Sequence, residues 1–263
     1  MQLFFSKPPV QVHSMRRFFI TPESIQNNRI TITGPEAHHI STVLRLQPGE
    51  QVEFIDGSGH IYLATLDVTG KKSVRAAVID KKQVEQESLF PITLAQGVLK
   101  GKKMEMVVQK ATELGVIHLL PLYTRFCDHK ALNDNRHARW QRIMVEACKQ
   151  SQRPTPMHIA GQTSLEKVDF SPYTHKYIAW EKEGSTLLPL DMCSQPGPIC
   201  ICIGPEGGWH QQEVDTLLDS GFLPFSLGPS ILRGETATIA AVAITQYVLA
   251  AGHQYASVPS KKR

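Results

Sequence analysis

Two glycine-bearing loops near the C-terminus carry the residues best suited to chemistry. The first spans residues 204–208 (GPEGG) and holds Glu206, and the second spans 227–237 and holds Arg233 and Glu235. A guanidinium offers several directed donors that can stabilise a developing negative charge, and either carboxylate can accept a proton. These residue types suit the removal of a proton from a substrate and the stabilisation of the charge that follows.

The elements around both loops predict a ligand site. The first loop follows the short apolar stretch 199–203, which is typical of a strand buried on both faces. A predicted helix over 210–220 and a second predicted strand over 222–228 then lead to the second loop. In open α/β sheets, ligands bind beyond the carboxyl ends of the strands, and glycine lets a ligand approach the backbone closely. We therefore expect both loops to line one pocket.

The glycine spacing argues against two common nucleotide sites. The GPEGG stretch is not the G-x-G-x-x-G pattern of dinucleotide-binding folds, and no Lys-Ser/Thr pair follows it as in a phosphate-binding loop. Taken alone, either loop is equally compatible with a pair of tight turns.

Several further motifs occur in order with these loops, and together they resemble the SPOUT superfamily of methyltransferases. The motifs are RRFF (16–19), HH (38–39) with VLR (43–45), QKATELG (109–115), EAC to QS (146–151), GPEGG (204–208), LGP (227–229) and ILRGETA (231–237). Within that superfamily the chain resembles the ribosomal small-subunit RNA methyltransferase E family, which methylates N3 of a uridine in 16S rRNA. The resemblance runs from about Met15 to Ala250.

The resemblance implies an α/β protein with two domains. A PUA-like RNA-binding β-barrel is expected over residues 16–88 and a SPOUT α/β methyltransferase domain with a deep trefoil knot over 89–252. The pattern of residues agrees in outline, because short β-rich segments come first and strands alternate with helices from Pro91 onward. Residues 1–15 are expected to be a disordered leader and residues 253–263 a C-terminal tail.

The resemblance also implies S-adenosylmethionine as the cofactor. Its methyl group is already activated, so the protein has to hold it in line with the acceptor and exclude water. Loss of the N3 proton places charge on the uracil oxygens, which makes Arg233 the expected stabiliser and Glu206 and Glu235 candidate bases. Alternatively, Glu235 orients Arg233 or forms a helix-start ion pair with it. The expected cofactor contacts are Trp180, Ile203, Gly204, Pro205, Glu206, Gly207, Gly208, Ser226, Leu227, Gly228, Ile231, Leu232, Thr236 and Ala237.

The charge distribution indicates a basic patch in the middle of the chain rather than a generally basic surface. The net charge is only +4, but residues 91–155 hold eleven basic against five acidic residues. A solvated face on a slightly basic enzyme is the alternative. The residues expected to contact 16S rRNA or the small subunit are Arg16, Arg17, Arg45, Lys100, Lys103, Arg125 and Arg153.

Two positions depart from the family pattern. Trp209-His210 stands where the family usually has Phe-Ser, and Ser is a good helix N-cap whereas His is a poor one. We therefore expect the helix after the first loop to begin with weak capping. Gly234 replaces the first Thr of the family's Leu-Arg-Thr-Glu-Thr-Ala, which removes a hydroxyl beside Arg233 and loosens the backbone there.

Composition bounds the remaining possibilities. Five cysteines without C-x-x-C spacing argue against a disulfide framework or a zinc site, and Cys200 and Cys202 are predicted to be buried in one strand. No apolar run approaches the ~20 residues of a membrane span and no export signal is evident, so a cytoplasmic location is expected. The small residues on all sides of helix 236–249 predict a buried helix, and the resemblance implies that it joins a homodimer interface.

Two other functions remain open at this point. The same fold methylates a ribose 2′-hydroxyl in related SPOUT enzymes, and a non-catalytic RNA-binding assembly factor is a third possibility. The intact loops around Gly204 and Arg233 favour an enzyme over the assembly factor.

Overall fold

The computed structural model describes residues 15–83, 90–127, 134–151, 153–182, 184, 186–189 and 194–256, with side chains up to residue 252. The chain divides into two compact units, Met1–Glu85 and Gln86–Arg263. The expected leader, apart from Met15, the expected boundary at residue 88 and Cys193 lie outside the described residues.

The first unit is a six-stranded sheet that packs around one apolar core. Its elements are β1 (Arg17–Phe19), β2 (Ile25–Gln26), β3 (Arg29–Thr33), the short helix α1 (Gly34–His38), β4 (Gln51–Ile55), β5 (His60–Thr69) and β6 (Ser73–Gln83). The strand order is β1-β4-β5-β6-β3-β2. Only β1 and β4 run parallel; the other neighbours are antiparallel.

Alternation along the strands explains this sheet. In β3, Ile30 and Ile32 are buried whereas the residues between and beside them are exposed, which is the period of two that a half-buried strand requires. Phe54 of β4 is fully buried in the same core. A short helix begins at Gly34-Pro35, and a π-helical turn over His39–Val43 follows it.

The second unit is a parallel sheet flanked by helices. Its elements are β7 (Ile92–Gly97), α2 (Lys102–Glu113), β8 (His118–Tyr123), α3 (Asp134–Ser151), β9 (His158–Ile159), β10 (Thr163–Ser164), β11 (His175–Ala179), β12 (Ile199–Ile203), α4 (Gln211–Asp219), β13 (Leu223–Phe225) and α5 (Gly234–Ala256). The strand order is β10-β8-β7-β12-β11-β13, with β9 paired to β8. Strand β12 therefore lies between two strands that precede it in the chain.

The two central strands are buried throughout. Every residue of β7 and of β12 is buried, and for β12 this confirms the prediction of a strand covered on both faces. Cys200 and Cys202 are fully buried free thiols in β12, which confirms their predicted packing role.

Helix α5 differs from the expectation of a helix buried on every side. Ala241, Val242 and Thr245 are buried, but Ile244 and Tyr247 are 41% and 74% exposed. One face therefore packs on the sheet while the other presents apolar surface, a distinction that uniformly small residues conceal in the sequence. The helix also continues to Ala256, into the expected tail.

None of the helices in the described ranges is long and apolar enough to cross a lipid bilayer.

Candidate active site

Three loops at one edge of the parallel sheet enclose a cavity of about 680 Å³. They follow β11, β12 and β13, whose ends lie level because Ala179 pairs with both Ile203 and Phe225. Ligand pockets typically measure about 300–1,000 Å³, so the cavity can hold one cofactor-sized molecule. The sequence prediction that the loops around Glu206 and Arg233 line one pocket is confirmed, and the third loop adds Trp180 and Glu181.

The wall of the cavity contains nearly all of the residues expected to bind the cofactor. The expected residues on the wall are Trp180, Ile203, Gly204, Pro205, Glu206, Gly207, Gly208, Ser226, Leu227, Gly228, Ile231, Leu232 and Ala237. Thr236 is not on the wall; it is exposed on the first turn of α5.

Close backbone packing shapes the loop over 204–208. A Cβ on Gly97, at the end of β7, would lie 2.7 Å from both Cδ and N of Pro205, so glycine is required for this approach. Gly208 has φ of 71°, in the left-handed region that favours glycine, and its N–H donates to the Pro205 carbonyl at 3.0 Å. The loop is therefore a closed turn that rests directly on the neighbouring strand.

Trp209 ties this loop to the third one. Its indole N–H donates to the Ala179 carbonyl at 3.1 Å, and the ring is only 5% exposed. The phenylalanine that the family usually has here offers no such donor, so the substitution adds a hydrogen bond between two loops of the cavity.

His210 caps helix α4, and the expectation of weak capping is wrong. The Gln212 N–H donates to Nδ1 of His210 at 3.3 Å, while the His210 N–H donates to a carboxylate oxygen of Glu213 at 2.9 Å. This reciprocal pair is a capping box, with the imidazole nitrogen replacing a serine oxygen. N-cap preferences for single residue types do not predict this role of His210, because it depends on Glu213 three residues later.

Glu206 fastens the first loop to the loop between β7 and α2. One of its oxygens, Oε1, accepts from the Lys100 N–H at 3.1 Å and from the Lys103 ammonium at 3.2 Å. Burial works to raise the pKa of Glu206, but the hydrogen bonds from Lys100, from its own N–H and from Lys103 outweigh it and hold the pKa below its ordinary value. Glu206 is therefore an ionised clamp rather than a group poised to take up a proton.

A buried polar link that the sequence analysis missed joins the sheet to α5. The amide nitrogen of Gln96, in β7, donates to the Gly97 carbonyl at 2.9 Å and to the Gly204 carbonyl at 3.3 Å. Its amide oxygen accepts from the hydroxyl of Thr238. The sequence does contain a sign of this link, namely a glutamine in the mostly apolar stretch 92–97. A fully buried polar side chain requires hydrogen-bond partners, so Gln96 could have been predicted to have them.

Arg233 and Glu235 occupy different environments at the start of α5. Arg233 is exposed on the cavity wall, and among the described residues it forms no ion pair with Glu235. Glu235 is only 9% exposed and is not on the wall; its Oε2 is buried without a hydrogen-bond partner in the described part of the chain. Gly234 between them is close-packed, since a Cβ there would lie 2.8 Å from Leu99. The expectation that Gly234 loosens this turn therefore does not match the packing around it.

Five of the seven residues expected to bind RNA are exposed or partly exposed to solvent. These are Arg16, Arg45, Lys100, Lys103 and Arg125, of which Lys103 is paired with Glu206.

The other two are engaged inside the protein. Arg17 donates through Nε and Nη2 to the same carboxylate oxygen of Glu53, at 2.8 and 2.6 Å. Arg153 is 8% exposed and its Nη1 donates to the Thr112 carbonyl at 3.0 Å, near the end of α2. The expectation that Arg153 contacts RNA is corrected, because its guanidinium is buried among protein atoms.

Comparison with known proteins agrees with both units. A model of an RNA methyltransferase domain matches residues 85–246, and a model of an RNA methyltransferase PUA domain matches residues 32–79. The ribosomal RNA small subunit methyltransferase E of a Synechocystis strain is 33% identical over 86% of this chain and 76% of its own length. The Bacillus subtilis protein of the same name is 32% identical over 89% of this chain and 96% of its own length.

The chain belongs to the ribosomal RNA small subunit methyltransferase E family. A crystal structure of the Neisseria gonorrhoeae member, bound to S-adenosylmethionine, is 34% identical. It aligns with a TM-score of 0.75 over 89% of this chain and 98% of its own length. The predicted fold class, a PUA-like unit followed by a SPOUT α/β unit, is confirmed.

Proposed function

We propose that this chain transfers the methyl group of S-adenosylmethionine to N3 of a uridine in 16S rRNA. The observation that carries the proposal is the 680 Å³ cavity, which three loops enclose and which Arg233 lines. Its wall offers backbone groups of glycine-rich turns and no phosphate-binding lysine motif, which suits a nucleoside cofactor without phosphates. Family relatives named for rRNA methylation, one of them solved with the same cofactor, support the choice of donor and substrate.

The proposed chemistry depends on charge that develops as the methyl group is transferred. N3 of uracil carries a proton at neutral pH, and its removal spreads negative charge onto the flanking carbonyl oxygens. Arg233 is exposed on the cavity wall and has directed donors to stabilise those oxygens. The protein's part in the reaction is to hold the sulfonium methyl group in line with N3, to keep water away and to stabilise this charge.

We assign the proton acceptor to Glu235 rather than to Glu206. Glu206 is held ionised by Lys100 and Lys103, and its lowered pKa makes it a weak base. Glu235 has a buried oxygen with no partner among the described residues, two positions after Arg233. Because Glu235 does not line the cavity of the free protein, this role requires that substrate binding bring a proton donor to that unsatisfied oxygen.

Substitution of each carboxylate separates these roles. Glu235→Gln is expected to lower kcat about 100-fold while cofactor affinity stays unchanged, because it removes the proton acceptor and keeps the shape of the side chain. Glu206→Gln is expected to weaken cofactor binding and leave kcat at saturation nearly unchanged, because it loosens the clamp to Lys103. Steady-state kinetics and cofactor titration of both variants measure the difference. A kcat loss confined to Glu206→Gln would reverse the assignment.

We also propose that the chain works as a homodimer joined through the outer face of α5. Ile244 and Tyr247 lie three residues apart, on one helix face, and both are exposed in the single chain. Ile244→Glu is expected to convert a dimer into monomers because it places a charge in that apolar face. Light scattering after gel filtration measures the mass. A wild-type mass of one chain, or a dimer that survives the substitution, would contradict the proposed interface.

A transfer assay tests the function itself. The protein is incubated with methyl-labelled cofactor and either free 16S rRNA or assembled small subunits, and the modified RNA is digested to nucleosides for mass spectrometry. The proposal predicts 3-methyluridine. A 2′-O-methyl nucleoside would favour the alternative chemistry of the SPOUT fold, and absence of cofactor binding would favour a non-catalytic assembly factor. Because its proposed substrate is 16S rRNA, we place the enzyme in the cytoplasm, where small subunits assemble.

A further inference from the structure

A second cavity, of about 490 Å³, lies beside the cofactor cavity and has a different wall. It is lined by Tyr123, Thr124, Arg125, Ser164, Glu166, His210, Gln212, Glu213 and Thr216. These residues come from the ends of β8 and β10, from the turn after β10 and from the start of α4. Parallel strands β8 and β10 end level here, since Ser164 pairs with Tyr123, so the cavity lies on the ligand-binding edge of the sheet.

Two hydrogen-bond donors approach the imidazole ring of His210 in this cavity. Nη1 of Arg125 lies 3.0 Å from Nε2 of His210, and the Gln212 N–H points to Nδ1 of the same ring at 3.3 Å. A neutral imidazole has one N–H and one acceptor nitrogen, so it can accept from only one of these two donors. When Nδ1 accepts the hydrogen bond of the helix cap, the imidazole proton lies on Nε2 and faces the donor of Arg125.

The protein holds this arrangement in place. The carboxylate of Glu213 accepts from the backbone N–H of Arg125 at 2.7 Å and from that of His210 at 2.9 Å. Both oxygens are thereby used by backbone groups, and the guanidinium of Arg125 has no carboxylate partner among the described residues. The ring of Phe126 packs edge-on against the imidazole, with centroids 5.8 Å apart and 66° between the planes. In this tautomer two donors therefore face each other at an open cavity, and no carboxylate in the described part of the chain pairs with the guanidinium.

We propose that Arg125 and His210 together bind one phosphodiester oxygen of the RNA substrate. An anionic oxygen that contacts both Nη1 and Nε2 from the open side of the cavity accepts from both donors and leaves Nδ1 free to cap α4. Glu166 on the same wall disfavours a second anion, so the site takes a single phosphate group. This inference rests on the proposed function, because it assumes an RNA substrate.

The position of the site indicates which phosphate it takes. Phe126 packs against the loop over 204–208, since a Cβ on Gly207 would lie 2.6 Å from its Cβ. Gly207 also lines the cofactor cavity, and Phe126 directly follows Arg125 of the second cavity, so the two cavities are neighbours. Contacts to phosphate fix the register of a nucleic acid without reading its sequence. The bound phosphate therefore belongs to a nucleotide close to the one that is methylated, and it positions that nucleotide over the cofactor.

Binding of assembled small subunits at several salt concentrations tests the proposal. Arg125→Gln is expected to weaken binding about tenfold and to reduce the slope of log K against log salt concentration by about 0.7 to 0.9, the effect of one lost phosphate contact. His210→Ser keeps a good N-cap and removes the second donor, so affinity falls without the full change in slope. The double variant is expected to bind no more weakly than Arg125→Gln, because both donors hold one oxygen.

Two controls limit the interpretation. Thr216→Val changes the wall of the same cavity. The hydroxyl that it removes donates to the Gln212 carbonyl of the same helix, so the substitution is expected to leave RNA affinity unchanged. All variants are expected to bind S-adenosylmethionine like the wild type. An unchanged salt slope for Arg125→Gln would overturn the phosphate assignment, and so would wild-type affinity of His210→Ser. If the wild-type protein forms 3-methyluridine and the Arg125 and His210 variants bind RNA normally, only the phosphate site is contradicted. If the wild-type protein forms no 3-methyluridine, the proposed function itself is contradicted.

Discussion

Arg233→Ala is expected to reduce kcat by roughly 10²- to 10³-fold, the usual effect of losing one donor to a developing oxyanion. Affinity for S-adenosylmethionine and the melting temperature are expected to stay close to wild type. The physical reason is that Arg233 is exposed and pairs with no carboxylate in the described part of the chain, so its removal breaks no ion pair there. Single-turnover kinetics with saturating cofactor and RNA measure the change.

The matched variant Arg233→Lys separates charge from geometry. Lysine keeps the positive charge but offers a compact ammonium in place of a planar group with several directed donors. We expect it to recover only part of the lost rate. Wild-type turnover by Arg233→Ala would remove this residue from the mechanism, and full recovery by lysine would show that charge alone matters.

Gly97→Ala is expected to weaken cofactor binding by roughly 10- to 100-fold, because overpacking a close contact typically costs about 1–3 kcal/mol. The added Cβ would lie 2.7 Å from the backbone nitrogen of Pro205, so the loop over 204–208 has to move away from β7. That movement opens the wall of the cavity and stretches the hydrogen bond from Gln96 to the Gly204 carbonyl. Titration of the cofactor followed by calorimetry measures the loss.

Gly161→Ala is the control for this prediction. No heavy atom lies within 4 Å of a Cβ placed at Gly161, which is exposed, so the same substitution is expected to have no effect there. The Gly97→Ala variant also separates binding from chemistry. At saturating cofactor, when its cavity is filled, turnover is expected to return to the wild-type rate. Unchanged cofactor affinity of Gly97→Ala would show that the loop tolerates the displacement.

The layout of the cavity could be predicted from the sequence because it depends on local patterns. Apolar runs bounded by glycine and proline mark the strands, and a glycine-rich turn after such a strand marks the ligand edge of the sheet. The loops around Glu206 and Arg233 each carry this pattern, so their meeting at one cavity follows from the strand order. The family motifs then indicated which cofactor to expect.

Contacts between distant parts of the chain could not be predicted in this way. The link from Gln96 to Thr238 and the clamp from Lys103 to Glu206 join segments that no periodicity relates. Arg153 illustrates the opposite failure, because a basic residue in a basic stretch was expected to contact RNA and instead donates to the Thr112 carbonyl inside the unit. Such residues acquire their role from tertiary packing, which outweighs composition.

His210 stands where the family usually has serine, and the effect of this substitution is understood only from the structure. By type it is a poor N-cap, yet its imidazole completes a capping box with Glu213. The same ring meets Arg125 at a second cavity, so one substitution affects both the start of α4 and the surface next to the cofactor. The sequence alone identified the position but not either consequence.

A structure of the protein crystallised with S-adenosylmethionine tests the central claim most directly. The account predicts that the cofactor lies between the loops over 204–208 and 226–237, with its sulfonium methyl group facing the guanidinium of Arg233. A cofactor bound outside this cavity, or bound inside it with the methyl group turned away from Arg233, would contradict the account.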